Sequence, residues 1–289
     1  MLHTEYIQRI NQAIDYIHKN LDRNLTAEEI ADYCRFSRFY FNRMFKAVVN
    51  ESVYSFIKRR KLENAAFLLR ANTSMPVTEV ALQFGYSPSN FASAFKEYYG
   101  ISATEYRRKN DIPVKDSYTA VVEHIRGMKI REDSFDIVNK KIVIRKIGRM
   151  NLLYERFIGN YYKLADFWDE FCKKVTEKLL VNENTRFIGI SYDDPLVTDE
   201  NRCIYDVCIN VENAGGPNVH VAEEGYYACY QFHDRLTNLL NAYNEIFSIW
   251  MPFYGYDIDK RFPLEIYHSA MDQEGRMRVD LCIPIVKDD

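Results

Sequence analysis

Fifty residues separate two near-copies of one segment: EEIADYCRFSRFYFNRMFK at 28–46 and VTEVALQFGYSPSNFASAFK at 77–96 overlay without a gap, pairing Ala31 with Ala81, Phe41 with Phe91 and Phe45 with Phe95. A repeat at that offset means two equivalent units, and each has the same internal order. A short helix runs into a tight turn and then into a second helix opened by a serine, which is the helix-turn-helix. Thr26 and Glu29 have the spacing of a capping box, so the first helix is expected to start near Ala27. Ser37 and Ser87-Pro88 supply start signals for the two second helices.

At 3.6 residues per turn, Phe41, Met44, Phe45 and Val48 share one face of the second helix, and Phe39, Asn42, Arg43 and Lys46 share the other. The first face packs and the second is left to contact a partner. Between the copies, SVYSFIKRRKLENAAFLLRAN at 52–72 contains neither Gly nor Pro. Roughly 18 helical residues there span about 27 Å. Successive major-groove faces on one side of B-DNA lie about 34 Å apart, so one chain can present two helices to neighbouring groove segments.

Charge supports this placement. Residues 1–115 hold 17 Lys and Arg against 12 Asp and Glu, whereas the remainder is acidic, within a net charge of −3. The run Lys58-Arg59-Arg60-Lys61 is read as a phosphate-contacting face. The six cysteines include no CxxC pair and the six histidines no HExxH, so no metal site and no disulfide framework is expected, and no cofactor. No run of 18 apolar residues exists and MLHTEYIQRINQ lacks a signal-peptide core, so no membrane association and a cytoplasmic location are expected.

After Arg107-Arg108-Lys109 the pattern changes. Residues 1–110 are taken as the all-α DNA-binding domain, 111–138 as a linker and 139–289 as a second, α+β domain. In the last, KKIVIRKI, NLLYERFI, RFIGISY, CIYDVCINV, YYACYQF, FPLEIYHS and RMRVDLCIPIV read as strands, interrupted by helical stretches near 163–181 and 234–251. The order divides into strand-strand-helix-strand-strand and strand-helix-strand-strand, which a single antiparallel sheet backed by two helices satisfies. In FPLEIYHS, alternation puts Glu265 and Tyr267 on one strand face and Leu264 and Ile266 on the other.

Through LTAEEIADYCRFSRFYFNRMFK, RKLENAAFLL and EVALQFGYSPSNFASAFKEYYGISATEYRR, residues 5–109 resemble the AraC/XylS family of bacterial transcription regulators. The resemblance implies double-stranded promoter DNA and RNA polymerase as partners. It also implies base-facing positions at Phe39, Asn42 and Arg43, with Ser89, Ala92 and Ser93 as counterparts. Arg38, Lys46, Ser87, Asn90 and Lys96 complete the expected DNA-facing set. Arg35 departs from the pattern by standing where the family, like Gly85 here, has glycine.

Residues 140–287 resemble the GyrI-like small-molecule-binding domain through LLYERFIGNYYKLADFWDEF, ISYDDP with YDVCINV, and FPLEIYHS. The resemblance implies a pseudo-twofold fold whose cleft takes apolar, often aromatic or cationic effectors, and Glu265 matches the family's cleft glutamate. Trp168, Tyr192, Tyr205, Tyr230, Trp250 and Tyr267 are the candidate wall residues. The reading is a one-component regulator rather than an enzyme. Its rivals are a hydrolase of small strained electrophiles with Glu265 as base, and a regulator without a ligand.

Overall fold

The computed structural model describes residues 2–72, 74–108, 134–193, 198–213, 215–216, 218–254 and 256–287. The chain divides into two compact units, residues 1–115 with 196–198 and residues 116–195 with 199–289. The linker assigned to 111–138 lies outside the described residues except for 134–138, which belong to a helix.

The first unit has seven helices among its described residues: α1 (Leu2–Lys19), α2 (Ala27–Tyr33), α3 (Arg38–Val49), α4 (Val53–Ala71), α5 (Val77–Gln83), α6 (Pro88–Tyr99) and α7 (Ala103–Arg108). The repeat is visible in the packing, since Ala31 and Ala81, Phe41 and Phe91, and Phe45 and Phe95 are all buried. The Phe41 and Phe45 rings meet at a tilt with centroids 5.6 Å apart, and the Phe91 and Phe95 rings do the same at 5.3 Å. Each pair sits one turn apart on the inner face of its helix, which is what makes α3 and α6 amphipathic. Leu62, Ala65, Ala66 and Leu69 of α4 join Val80, Phe91, Phe95 and Tyr106 in one apolar cluster.

The two turns are built alike. Phe36 donates its N–H to Ala31 O at 2.9 Å and Tyr86 donates to Ala81 O at 3.0 Å. Both turns need a left-handed residue, supplied by Arg35 at φ 57° and Gly85 at φ 72°. Thr26 and Ser87 cap their helices by accepting from Glu29 N at 3.1 Å and Asn90 N at 3.3 Å. Ser37 has the extended backbone of a cap, but its side chain makes no capping bond, contrary to the expectation.

The Lys58–Lys61 run is also different from expectation. Arg59, Arg60 and Lys61 are buried. Arg59 pairs with Glu51 at 2.6 Å and with Glu63 at 3.1 Å, and Arg60 with Glu63 at 3.0 Å. Lys61 donates to the carbonyls of Arg23 and Phe84, both at 2.8 Å. Buried cations demand such partners, so these three side chains tie α4 to its surroundings rather than reaching phosphate.

The second unit contains α8 (Ser134–Asn139), β1 (Ile142–Ile147), β2 (Met150–Gly159), α9 (Leu164–Glu177), β3 (Phe187–Ser191), β4 (Cys203–Val211), β5 (Val219–Ala222), β6 (Gly225–Arg235), α10 (Leu239–Asn244), α11 (Met251–Tyr254), β7 (Leu264–Tyr267) and β8 (Arg276–Pro284). A π-helical stretch, Glu245–Trp250, joins α10 to α11. Sequence reading missed β5, four residues long, and so saw the second half as one strand short. Both halves read strand-strand-helix-strand-strand.

The eight strands form one antiparallel sheet in the order β1-β6-β8-β7-β3-β4-β2-β5. Each half places its last three strands together, and its opening strand pairs with the other half's second strand, β1 with β6 and β5 with β2. The halves meet where β3 pairs with β7. One face packs against the helices: Phe171 and Val175 of α9 meet Tyr205, Val207 and Ile209, while Ala242 and Ile246 meet Tyr230, Val279 and Leu281. On the other face Ile147 and Tyr227 cluster with Leu152 and Ala222 from the opposite end of the sheet. The sheet therefore curls until its two ends share a core, as a half-barrel does.

Candidate functional site

In the first unit the outward faces of α3 and α6 are unlike. Phe39 is 89% exposed at the start of α3. Arg38, Arg43 and Lys46 are exposed beside it, and Asn42 is half-buried. Asn42 donates to Arg38 O at 3.1 Å, and the Arg43 guanidinium lies over the Tyr40 ring at 5.2 Å. These contacts hold an amide and a guanidinium, the two groups that read bases bidentately, on one helical surface. On α6, Ser87, Ser89, Asn90, Ser93 and Lys96 are all exposed. Ser87 uses its hydroxyl to cap the helix, so it is a structural residue there.

In the second unit the seam between the halves carries a polar cluster on the helix-covered face. Glu265 of β7 is buried and lies opposite Gly189 of β3. Its Oε2 accepts from Tyr205 at 2.6 Å and Tyr267 at 2.7 Å, and its Oε1 accepts from Tyr243 at 2.6 Å. The Tyr205 and Tyr267 oxygens are 2.9 Å apart. Burial, and then the charge of Glu265, push the hydroxyls of Tyr205, Tyr243 and Tyr267 well above the usual phenol value of 10.0. They are therefore donors across the physiological range.

Two features shape the surroundings. A Cβ at position 189 would overlap the Tyr205 hydroxyl, so Gly189 is what allows Tyr205 to reach across to Glu265. The Trp168 ring stands edge-on to Tyr267 at 5.2 Å and Tyr205 at 6.4 Å. Its Nε1 is buried and has no hydrogen-bond partner among the described residues. A buried indole donor ordinarily finds one, so this wall offers an open donor. Tyr161 closes the far side, with its hydroxyl 3.2 Å from Ser191 Oγ and donating to Ile204 O at 3.1 Å.

Of the expected wall, Trp168, Tyr205 and Tyr267 converge on Glu265, and three others do not. Tyr192 lies on the opposite face of the sheet, donating to Asp206 at 2.8 Å. Tyr230 shares the helix-covered face, but its hydroxyl donates to Glu245 at 2.6 Å and accepts from Lys141 at 2.9 Å. Trp250 is core, stacked on Tyr254 at 4.6 Å and donating to Asn139 at 2.9 Å. Sequence reading missed Tyr243, Tyr161 and Gly189. For Gly189 there was a signal, since a glycine inside RFIGISY marks close approach in a strand.

Among the described residues no group of His, Cys, Asp and Glu could hold a metal ion, and no helix is long and apolar enough to cross a membrane.

The sequence matches the GyrI-like small molecule binding domain family over residues 140–286 and a helix-turn-helix domain family over residues 30–109. The transcriptional regulator Rob of Salmonella typhimurium is 22% identical over 294 residues, covering 96% of this chain and 97% of that protein. The transposon Tn10 TetD protein of Escherichia coli is 32% identical over 100 residues, 34% of this chain and 72% of that one. The regulatory protein SoxS of Salmonella typhimurium is 29% identical over 110 residues, 38% of this chain and 99% of that one.

Proposed function

We infer that this chain, which belongs to the AraC family of DNA-binding transcription regulators and carries a GyrI-like small-molecule-binding domain, is switched by a cationic or polar aromatic effector held at Glu265. The observation that carries the reading is the convergence of Tyr205, Tyr243 and Tyr267 on one buried carboxylate. A cation can replace a tyrosine proton as partner to that carboxylate while aromatic faces surround its apolar part. An effector switches a regulator only if it binds one state better than another. Displacement of a tyrosine from Glu265 supplies such a difference, because the hydrogen-bond pattern must change on binding.

On the DNA side, α3 is the discriminating helix and α6 the supporting one. Arg43 and Asn42 can pair bidentately with guanine and adenine, whereas Ser89, Ala92 and Ser93 offer single hydroxyls and a methyl. Sequence preference then concentrates in one half of a two-part promoter site engaged by one chain. RNA polymerase is the expected protein partner of the bound complex, and the protein acts in the cytoplasm without catalysing a reaction.

Glu265→Gln keeps shape and removes charge. Calorimetry with benzyltrimethylammonium should show affinity falling at least about tenfold, while DNA binding without ligand persists. Unchanged affinity would defeat the anchoring role. Turnover of a strained epoxide by the wild type, abolished in Glu265→Gln, would instead favour the hydrolase. Arg43→Ala should weaken specific DNA by about 1–3 kcal/mol with little change on random DNA.

A further inference from the structure

Cys229 of β6 and Cys282 of β8 are direct partners in the antiparallel ladder, so both thiols leave the sheet on the same face. Their site type follows from the neighbouring hydrogen bonds. Ile285 N donates to Tyr226 O at 3.0 Å, which makes 226 and 285 a hydrogen-bonded pair. Pairs alternate along an antiparallel ladder, so 229 and 282 form a non-hydrogen-bonded pair, as do Tyr227 and Pro284. Pro284 fits that assignment, because its missing N–H is not needed there. At non-hydrogen-bonded positions the Cα atoms lie about 4.5 Å apart, within the range of about 4.4–6.8 Å that a disulfide spans.

Each thiol donates to the carbonyl two residues back in its own strand, Cys229 to Tyr227 O at 3.8 Å and Cys282 to Asp280 O at 3.6 Å. Contact with the Cys282 thiol, with the nearby Arg145 guanidinium opposing burial, holds the Cys229 thiol below its usual value. The same contact and burial push Cys282 up. Asp280, paired with Arg145 at 2.5 Å, opposes the lowering at Cys229. Arg145 also lies 3.8 Å from the Cys282 sulfur, and its side chain is 38% exposed. Both cysteines are fully buried, beside the partly exposed Arg145 side chain.

We propose that Cys229 and Cys282 are a peroxide-sensitive dithiol that closes to a cross-strand disulfide. One thiolate of the pair attacks one peroxide oxygen, the O–O bond breaks, and the departing hydroxide takes a proton to become water. That cysteine is left as the sulfenic acid. The other sulfur then attacks it, forming S–S as S–O breaks, and the second water carries away the proton of the attacking thiol. Two electrons pass from the thiol pair to the peroxide. The closed loop, 229–282, contains Tyr243, Glu265 and Tyr267, so oxidation constrains the segment that builds the candidate effector site.

The test treats the reduced full-length protein with hydrogen peroxide, alkylates it in denaturant and maps its peptides by mass spectrometry. A peptide joining 229 to 282, about 2 Da lighter than its parts and dissolved by dithiothreitol, is expected in at least about half of the chains. Cys229→Ser and Cys282→Ser should each abolish the joined peptide, and dimedone should trap the sulfenic acid of the cysteine that remains. Circular dichroism checks that both variants fold. Recovery of both cysteines as alkylated thiols, or as sulfonic acids without the joined peptide, would overturn the proposal. Joined peptide with unchanged binding of benzyltrimethylammonium would leave the dithiol standing and overturn only its coupling to the candidate effector site.

Discussion

The hydroxyl of Tyr243 lies 2.6 Å from Oε1 of Glu265, and among the described donors to that carboxylate it is the one carried by a helix. Tyr205 and Tyr267 come from β4 and β7 and are fixed by the ladder. Tyr243 stands on α10, one turn before its ring partner Phe247 and at the entry to the π-helical stretch Glu245–Trp250. A π-helical turn accommodates an extra residue and marks functional positions in many helices. Of the three donors, Tyr243 is therefore the one whose displacement leaves the sheet intact.

Tyr243→Phe should lower the stability of the free protein by about 1–2 kcal/mol, because it removes a hydrogen bond to a buried carboxylate. The same change should tighten binding of an aromatic cation, since the ligand no longer competes with that hydroxyl. The check is thermal unfolding with and without ligand: a ligand-induced rise in Tm smaller than in the wild type would contradict the competition.

Gly189→Ala should destabilise the second unit by about 1–3 kcal/mol through overpacking. Its Cβ would overlap the Tyr205 hydroxyl and approach Glu265 Oε2 to 3.2 Å. The double variant Gly189→Ala with Tyr205→Phe should recover part of the loss in urea unfolding. An equal loss in both backgrounds would show that the strain lies elsewhere.

How much of this was legible in the sequence differs between the units. The helix-turn-helix pairs could be read because each helix has one wet and one dry face, so spacing alone separates Phe45 from Arg43. The sheet of the second unit is buried on both faces. Alternation then sorts residues into two sets without saying which set faces the helices. Tyr205 and Asp206 are adjacent in sequence and equally enclosed, yet one reaches Glu265 and the other binds Arg156 and His220 on the opposite face. Tyr192 was misplaced for that reason. Tyr243 was invisible for another: its stretch is read as a helix backing the sheet, and nothing in NAYNEIF marks the residue that turns toward the seam.

Arg35 and Gly85 hold equivalent left-handed positions in the two turns. A side chain at such a position costs about 1–2 kcal/mol, so Arg35→Gly should raise stability by up to about 1 kcal/mol after the greater flexibility of glycine in the unfolded chain is subtracted. Gly85→Ala should lower it by a similar amount, since the added Cβ would come within 3.3 Å of Lys61 Nζ. Chemical denaturation of the two variants decides. A loss of stability in Arg35→Gly would mean that the arginine side chain contributes more than its backbone strain removes.

Arg156 and Asp206 form a buried pair on the half-barrel face, with Nε–Oδ1 at 2.8 Å and the second nitrogen at 2.7 Å from Oδ2. His220 lies 2.8 Å from the same Oδ2 and stacks on Tyr154 at 3.9 Å. Burial alone would raise the Asp206 carboxyl, but the Arg156 charge and the bonds from His220 and Arg156 outweigh it and hold the group below its ordinary value of 3.8. A carboxyl depressed in the folded state stabilises fully above its unfolded value, and that contribution is lost as pH falls through the folded value. The wild type should therefore keep this contribution down to about pH 4. Arg156→Met leaves the carboxylate buried without its cation, which should cost about 3–5 kcal/mol near neutral pH and move acid unfolding to higher pH. Replacing both partners, Arg156→Met with Asp206→Leu, should restore most of that loss because no charge is then left unpaired. Urea unfolding across pH 3–7 measures all three proteins. A single-variant loss below about 1 kcal/mol, or an acid limb that does not move, would show that His220 and Tyr192 suffice to hold Asp206 without the guanidinium.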